Sequence, residues 1–189
     1  MARQPHPENR PNLVLIGYRA TGKTSVGVRL AEVLQRPFVD LDQVLVQEAG
    51  RSVAEIVAQG GWGQFRRLEK ELVARYRDSR GQVLATGGGV VLDPDNVAAL
   101  RKNGILIWLT AEPAAIQARL AQDQPRDLNR PSLTGADTIQ EVTAVLAERA
   151  PLYQAAAQMR VNTTHRSVSQ VVKLVLEALK SEEAQNLGG

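Results

Sequence analysis

Short apolar runs alternate with longer amphipathic stretches along most of the chain. Residues 12–17 read Asn-Leu-Val-Leu-Ile-Gly, an apolar run closed by glycine, which predicts a strand buried on both faces. Over 23–35 the apolar residues Val26, Val28, Leu30, Ala31 and Leu34 fit a helix, and 38–40 form a second short strand. Ser52 and Glu55 stand three apart as a capping box that opens a helix. A further amphipathic helix over 62–78 carries Phe65, Leu68, Leu72 and Tyr76 on one face. Residues 82–86 predict a third strand, punctuated by Gly87, Gly88 and Gly89. A helix over 93–103, a fourth strand over 105–110 and a helix over 113–121 follow. Residues 122–136 are rich in Asp, Gln, Asn and Pro without periodicity, a long loop of the kind that is usually functional or disordered. Then come a helix over 137–149, a fifth strand over 159–163 and a helix over 167–180.

Strands that alternate with helices predict an α/β domain: a five-stranded parallel sheet with helices on both faces. It spans residues 12–180, between flexible tails at 1–11 and 181–189. The 189-residue length fits one domain, and no internal repeat divides it. Aromatic residues make up 4% and net charge is +3, which argues against a partner read by base stacking or a basic groove. Cysteine is absent and the two histidines, His6 and His165, lie far apart, which excludes a disulfide scaffold, a thiolate nucleophile and a Cys- or His-rich metal site. No apolar run reaches bilayer length and the first eleven residues lack a hydrophobic signal core, so the expected location is the cytoplasm, with no membrane and no nucleic-acid partner. Of the 23 basic residues 18 are arginine, the better fork for carboxylates and phosphates, although coding bias produces the same excess.

Gly17-Tyr18-Arg19-Ala20-Thr21-Gly22-Lys23-Thr24 has the form G-x-x-x-x-G-K-T, between a predicted strand and a predicted helix. Its glycines let successive N–H groups curl around phosphate oxygens, and the helix behind adds its positive end. Lys23 reaches the outer phosphates and the Thr24 hydroxyl can hold Mg²⁺. The four fixed positions coincide by accident in about one chain of this size in a hundred or fewer. The chain therefore binds a polyphosphate.

Mg²⁺ needs a nearby carboxylate, and the third strand ends in threonine and glycine. Asp40 and Asp42 close the second strand instead, and strand alternation would put both on one side at the carboxyl edge, where ligands sit in open α/β sheets. One acid can hold the metal through water and the other can orient or deprotonate a hydroxyl acceptor; both can also simply cap the segment that follows. A guanine-reading N-K-x-D tetrad occurs nowhere, which disfavours a switch GTPase and favours a small-molecule kinase.

These residues resemble the shikimate kinase family, within the nucleoside-monophosphate-kinase-like group of P-loop folds. The resemblance covers about 12–179 and rests on the cradle together with Asp40-x-Asp42, Gly50-Arg-Ser52, Phe65-Arg66-Arg-x-Glu69, Gly87-Gly-Gly89, Arg130-Pro131 and Arg149-Ala-Pro-Leu-Tyr153. It implies phosphorylation of the 3-hydroxyl of shikimate by ATP, a step toward chorismate and the aromatic amino acids, in a monomer with Mg²⁺ as cofactor. Gly17, Arg19, Ala20, Thr21, Gly22, Lys23, Thr24 and Ser25 would bind ATP, with Thr24 and Asp40 on the metal. Asp42 would hold the shikimate hydroxyls and act as base. Arg66 and Arg149 would clamp the substrate carboxylate, Gly87, Gly88 and Gly89 would shape a wall, and Phe65 would face the ring. Arg130 would close over the triphosphate from a lid at about 122–136, and Arg166 would lie near adenine. Substrate-binding helices would occupy about 43–78. Ser132 stands where the family's lid carries leucine, and the segment before it is longer than usual.

Plain structural alternatives accompany several of these roles. Arg66 can pair with Glu69 along a helix, Arg149 can sit at a helix end that Pro151 closes, Phe65 can belong to the core, and the three glycines can form a turn. Two functional alternatives also stand beside the shikimate reading: a kinase for another polyol acid such as gluconate, and a nucleotide-binding module without catalysis.

Overall fold

In the computed structural model of the protein, which describes residues 10–127 and 141–187, the five apolar runs pair into one parallel sheet. The strands are β1 (Asn12–Ile16), β2 (Phe38–Asp40), β3 (Val83–Ala85), β4 (Gly104–Thr110) and β5 (Met159–Asn162), in the order β2-β3-β1-β4-β5. β1 is central: Val14 lies opposite Leu84 of β3 and Leu106 of β4. Helices α1 (Lys23–Leu34), α2 (Leu41–Ala49), α3 (Val53–Tyr76), α4 (Pro94–Lys102), α5 (Pro113–Asp127), α6 (Val142–Ala156) and α7 (Val168–Leu187) connect and cover the strands.

Every residue of β1 is buried, and alternation splits them between two cores. Leu13 and Leu15 pack with Leu30 of α1 and Val171 and Val175 of α7. Val14 and Ile16 point to the other face, with Ile56, Phe65 and Leu72 of α3, Leu100 of α4 and Tyr153 of α6. A central parallel strand covered on both sides reads as a continuous apolar run for this reason. Its one polar residue, Asn12, is satisfied: the amide donates to the Ser79 carbonyl at 2.9 Å and accepts from the Gln82 N–H at 2.9 Å. Among the described residues no helix is long and apolar enough to cross a membrane.

Several boundaries depart from the hydrophobic pattern. The Ser52 capping box opens α3 as expected, with both of its reciprocal bonds formed. Gly61, with φ 68° and ψ 178°, breaks the helical path, so α3 consists of two helical segments that meet at a kink, matching the two helices expected there. α2 starts at Leu41, directly after β2. The stretch 122–127, expected as loop, continues α5 although it contains Pro125. α7 runs to Leu187, beyond its expected end at 180, because helix formers such as Glu, Ala and Gln extend a helix without apolar periodicity.

α6 differs most. It spans Val142–Ala156 and passes through Pro151, so Arg149 lies inside a helix and not at its end; the expected start at 137 lies outside the described residues. An internal proline costs about 3 kcal/mol. Beyond it, Tyr153 is fully buried and stacks on Trp108 with centroids 5.6 Å apart. An aromatic side chain buries roughly 150–250 Å², which at about 25 cal/mol per Å² gives about 4–6 kcal/mol and outweighs the proline.

Gly104 provides a check on this packing. A Cβ there would lie 2.6 Å from the Leu100 carbonyl and 2.9 Å from Val14 Cγ2, so α4 and β1 cannot both hold position. Gly104→Ala is expected to cost about 1–3 kcal/mol, read as a lower urea midpoint with an unchanged slope.

Candidate active site

The chain leaves β1 at Gly17 and returns into α1 through a loop built on left-handed backbone. Gly17 has φ 142° and Gly22 φ 93°; a Cβ on Gly17 would collide with the Leu109 carbonyl. Ala20 takes φ 56° without being glycine, at a cost of about 1–2 kcal/mol. Gly22 caps α1 without a side chain, and no acid stands in the helix's first turn, so its leading N–H groups face a cavity of about 400 Å³. Lys23 is buried with its ammonium folded back on the loop, donating to the Gly17 carbonyl at 2.9 Å and the Tyr18 carbonyl at 2.8 Å. Thr21 Oγ1 donates to the Tyr18 carbonyl at 2.7 Å, which closes the curl.

Asp40 and Asp42 both line this cavity, by a route other than strand alternation. The chain turns into α2 at Asp40, whose Oδ1 accepts from the N–H groups of Asp42 and Gln43 at 3.1 and 3.3 Å. The capping alternative therefore holds, and the other oxygen remains for chemistry: Oδ2 accepts from Thr24 Oγ1 at 2.7 Å. Asp42, in the first turn of α2, lines a second, narrower cavity of about 50 Å³ as well. It is where the two cavities meet.

The second cavity gathers Phe65, Arg66, Gly87, Gly88, Gly89 and Arg149. Phe65 belongs at once to the core and to the cavity wall, edge-on to Trp62 at 5.6 Å. Arg66 lies over the Phe65 and Trp62 rings at 5.2 and 5.6 Å, and its Nη1 bonds Glu69 Oε2 at 2.6 Å. The helix pair of the plain alternative is thus the brace that holds Arg66 at the cavity. Arg149, buried, donates to the Gly88 carbonyl at 3.3 Å, and the Tyr153 hydroxyl donates to the same oxygen.

Two of the three glycines follow from space. A Cβ on Gly87 would sit 2.7 Å from both Asp42 Oδ1 and Glu69 Oε1, and one on Gly89 would fall on the Arg66 guanidinium. Gly88 is different: a Cβ there would make only ordinary contacts, 3.4 Å from the Gly17 carbonyl and 3.5 Å from the Arg19 nitrogen. A side chain at 87 or 89 would take the place of a functional one.

Of the other expected residues, Arg19 is buried in the loop, and its Nη2 pairs with the buried Glu141 at 3.2 Å. Arg166 lines the rim of the larger cavity and donates to the Asn162 carbonyl at 2.8 Å. Ala20, Thr21, Gly22, Thr24 and Ser25 line that cavity too. Arg130 and most of the expected lid lie outside the described residues. The structure adds Arg119 and Thr163 on the larger cavity and Tyr18, Val53 and Trp62 on the smaller. Trp62 was detectable, three residues before Phe65 on the same helix face; Arg119 and Thr163 meet across 44 residues with no local signal.

Burial pushes the Glu69 carboxyl above its ordinary range, opposed by Arg66 and reinforced by Asp42. Burial likewise pushes the Tyr153 hydroxyl up, so it stays a neutral donor. No cluster of three or more His, Cys, Asp or Glu side chains is present among the described residues. Thr24 and Asp40 supply two hard oxygen donors beside the cradle, which fits an ion that takes its other ligands from phosphate and water.

A family model described as Shikimate kinase matches residues 19–180. The shikimate kinase of Symbiobacterium thermophilum is 46% identical over 169 residues, 89% of this chain and 96% of that protein. The shikimate kinase of Syntrophus aciditrophicus is 38% identical, over 96% of this chain and 98% of that protein. Among solved structures, shikimate kinase from Acinetobacter baumannii in complex with shikimate superposes with a TM-score of 0.85 at 30% identity, covering 93% of this chain and 96% of that one.

Two results test this geometry. Gly89→Ala displaces the Arg66 guanidinium from its bond to the buried Glu69, so the urea midpoint should fall. Affinity for a carboxylate ligand, read by calorimetry, should fall about ten- to hundredfold, the equivalent of losing one hydrogen bond to a charged group. Glu69, with its native pKa raised, contributes stability that is fully present below its ordinary value of 4.5 and is lost as pH rises through the native one. Glu69→Gln cannot titrate, so its urea midpoint relative to the parent should rise as pH increases from 4.5 through the raised native value.

Proposed function

The chain belongs to the shikimate kinase family, and we propose how its residues divide the work of phosphorylating shikimate. The reaction moves the γ-phosphoryl group of ATP to the 3-hydroxyl of shikimate and yields shikimate 3-phosphate and ADP. The observation that carries the assignment is Asp42, the carboxylate shared by the phosphate-loop cavity and the arginine-lined cavity.

ATP occupies the larger cavity, its phosphates on the N–H groups of the loop and of α1. Lys23 exchanges the Gly17 and Tyr18 carbonyls for phosphate oxygens, which are charged and therefore stronger partners. Thr24 and Asp40 would hold Mg²⁺, which would offset the negative charge of the phosphates. Arg166 flanks the nucleotide at the cavity rim.

Shikimate lies in the smaller cavity. Arg66 and Arg149 take its carboxylate, Phe65 faces its ring, and the backbone of Gly87, Gly88 and Gly89 forms the wall that its hydroxyls approach. Asp42 then orients the 3-hydroxyl toward the γ-phosphorus and accepts its proton as the new P–O bond forms and the bond to ADP breaks. Catalysis is mainly positioning and charge stabilisation, as in phosphoryl transfer generally. The role of Arg130 over the triphosphate rests on the family resemblance alone.

The test is ADP release by the purified protein with Mg²⁺-ATP and shikimate, gluconate or quinate in parallel. Turnover confined to shikimate is the expected result. ATP binding without turnover on shikimate would keep the cradle and discard the acceptor. Lys23→Ala should nearly abolish turnover in a folded protein. Asp42→Asn should lower kcat while ATP affinity survives; loss of ATP affinity with shikimate affinity intact would show that Asp40 and Asp42 have exchanged roles.

A further inference from the structure

Arg119 lines the larger cavity without a role above, and its guanidinium grips the phosphate loop at Ala20. Its Nη1 donates to the Ala20 carbonyl at 3.0 Å and to Thr163 Oγ1 at 3.1 Å, and its Nη2 donates to the Thr163 carbonyl at 2.7 Å. Both ends of this grip are anchored. Thr163 is buried, with its N–H and hydroxyl both on the Thr110 carbonyl at 2.7 and 3.1 Å. Arg119 stands on α5 between the buried Ile116 and Leu120.

The gripped residue is the strained one. Three non-glycine residues have positive φ among the described residues, Ala20, Gln35 and His165, and of these only Ala20 lines the nucleotide cavity. Alanine has no side-chain polar group with which to offset a left-handed conformation locally. In a planar trans peptide the C=O and the following N–H point in opposite directions. Fixing the Ala20 carbonyl on Arg119 therefore fixes the direction of the Thr21 N–H, one of the donors of the cradle.

We propose that Arg119 is a positioning residue that holds Ala20 in its left-handed conformation and so keeps the phosphate cradle formed. This rests on the reading of the larger cavity as the ATP site. It makes the need for Arg119 conditional on alanine at position 20, because glycine adopts the same φ without steric cost.

The experiment measures ATP and inorganic tripolyphosphate binding by calorimetry, and KM for ATP, in the parent, Arg119→Met, Ala20→Gly and the double variant. Arg119→Met is expected to weaken ATP and tripolyphosphate by a similar factor of about ten or more. In the Arg119→Met background, Ala20→Gly is expected to restore most of that loss, giving a clear coupling between the two sites. Weakened ATP with unchanged tripolyphosphate would overturn the proposal, because Arg119 would then act on the nucleoside. Absence of rescue would overturn it too, because the grip would not be relieving strain at Ala20. Failure of the parent to bind either ligand would remove the cradle reading itself. If Arg119→Met does not fold, Arg119→Lys, which keeps the charge but not the planar fork, carries the same comparison.

Discussion

The position of β1 between β3 and β4 is the constraint on which the rest depends. In a parallel sheet all strands end at one edge, so the register that pairs Val14 with Leu84 and Leu106 also sets the chain ends beyond them. The phosphate loop leaves β1, the triple glycine leaves β3, Asp40 ends β2 and Thr163 follows β5. After β1 the chain serves β2 and β3 on one side and then β4 and β5 on the other. The crevice at that switch point is where ligands bind in open α/β sheets. Because β1 is apolar and buried on both faces, it cannot slide by one residue without reversing which core each side chain enters.

The site set on this edge carries an unusual amount of buried charge. Arg19, Lys23, Asp40, Glu69, Glu141 and Arg149 are all buried. Charges withdrawn from water are costly unless paired. Here the pairs are local and rigid: Arg19 with Glu141, Arg66 with Glu69, and Lys23 with two loop carbonyls. Carbonyl dipoles hold an ammonium less strongly than phosphate does, so the cradle's own contacts can be exchanged for a ligand's. The arginine pairs serve differently, fixing the guanidinium forks in place so that little side-chain entropy remains to be lost when an anion arrives.

Gly88 shows how tightly the parts are joined. Its carbonyl accepts from Arg149 and Tyr153 of α6, and a Cβ added to it would lie 3.4 to 3.6 Å from Gly17, Arg19 and Tyr18 of the loop. The acceptor-side wall and the donor-side cradle are therefore adjacent, about one methyl group apart at this point. A reaction that needs two substrates held in line within a few tenths of an ångström benefits from that closeness.

The chain's pattern by itself determined the five strands, the order of elements, the cradle and the family. These depend on local spacing: an apolar run closed by glycine, a G-x-x-x-x-G-K-T string, a serine three residues before a glutamate. Local spacing also marked Arg66, Arg149 and the three glycines without showing how they meet. Tertiary structure decided the remainder. Pro151 stays inside a helix because Tyr153 finds a buried place beyond it, Asp42 reaches both cavities because the chain turns into α2 at Asp40, and Arg119 meets Ala20 and Thr163 from far away in sequence. Each of these outcomes compares a local preference with contacts between distant segments, and the energy of such contacts exists only once the sheet has brought the segments together.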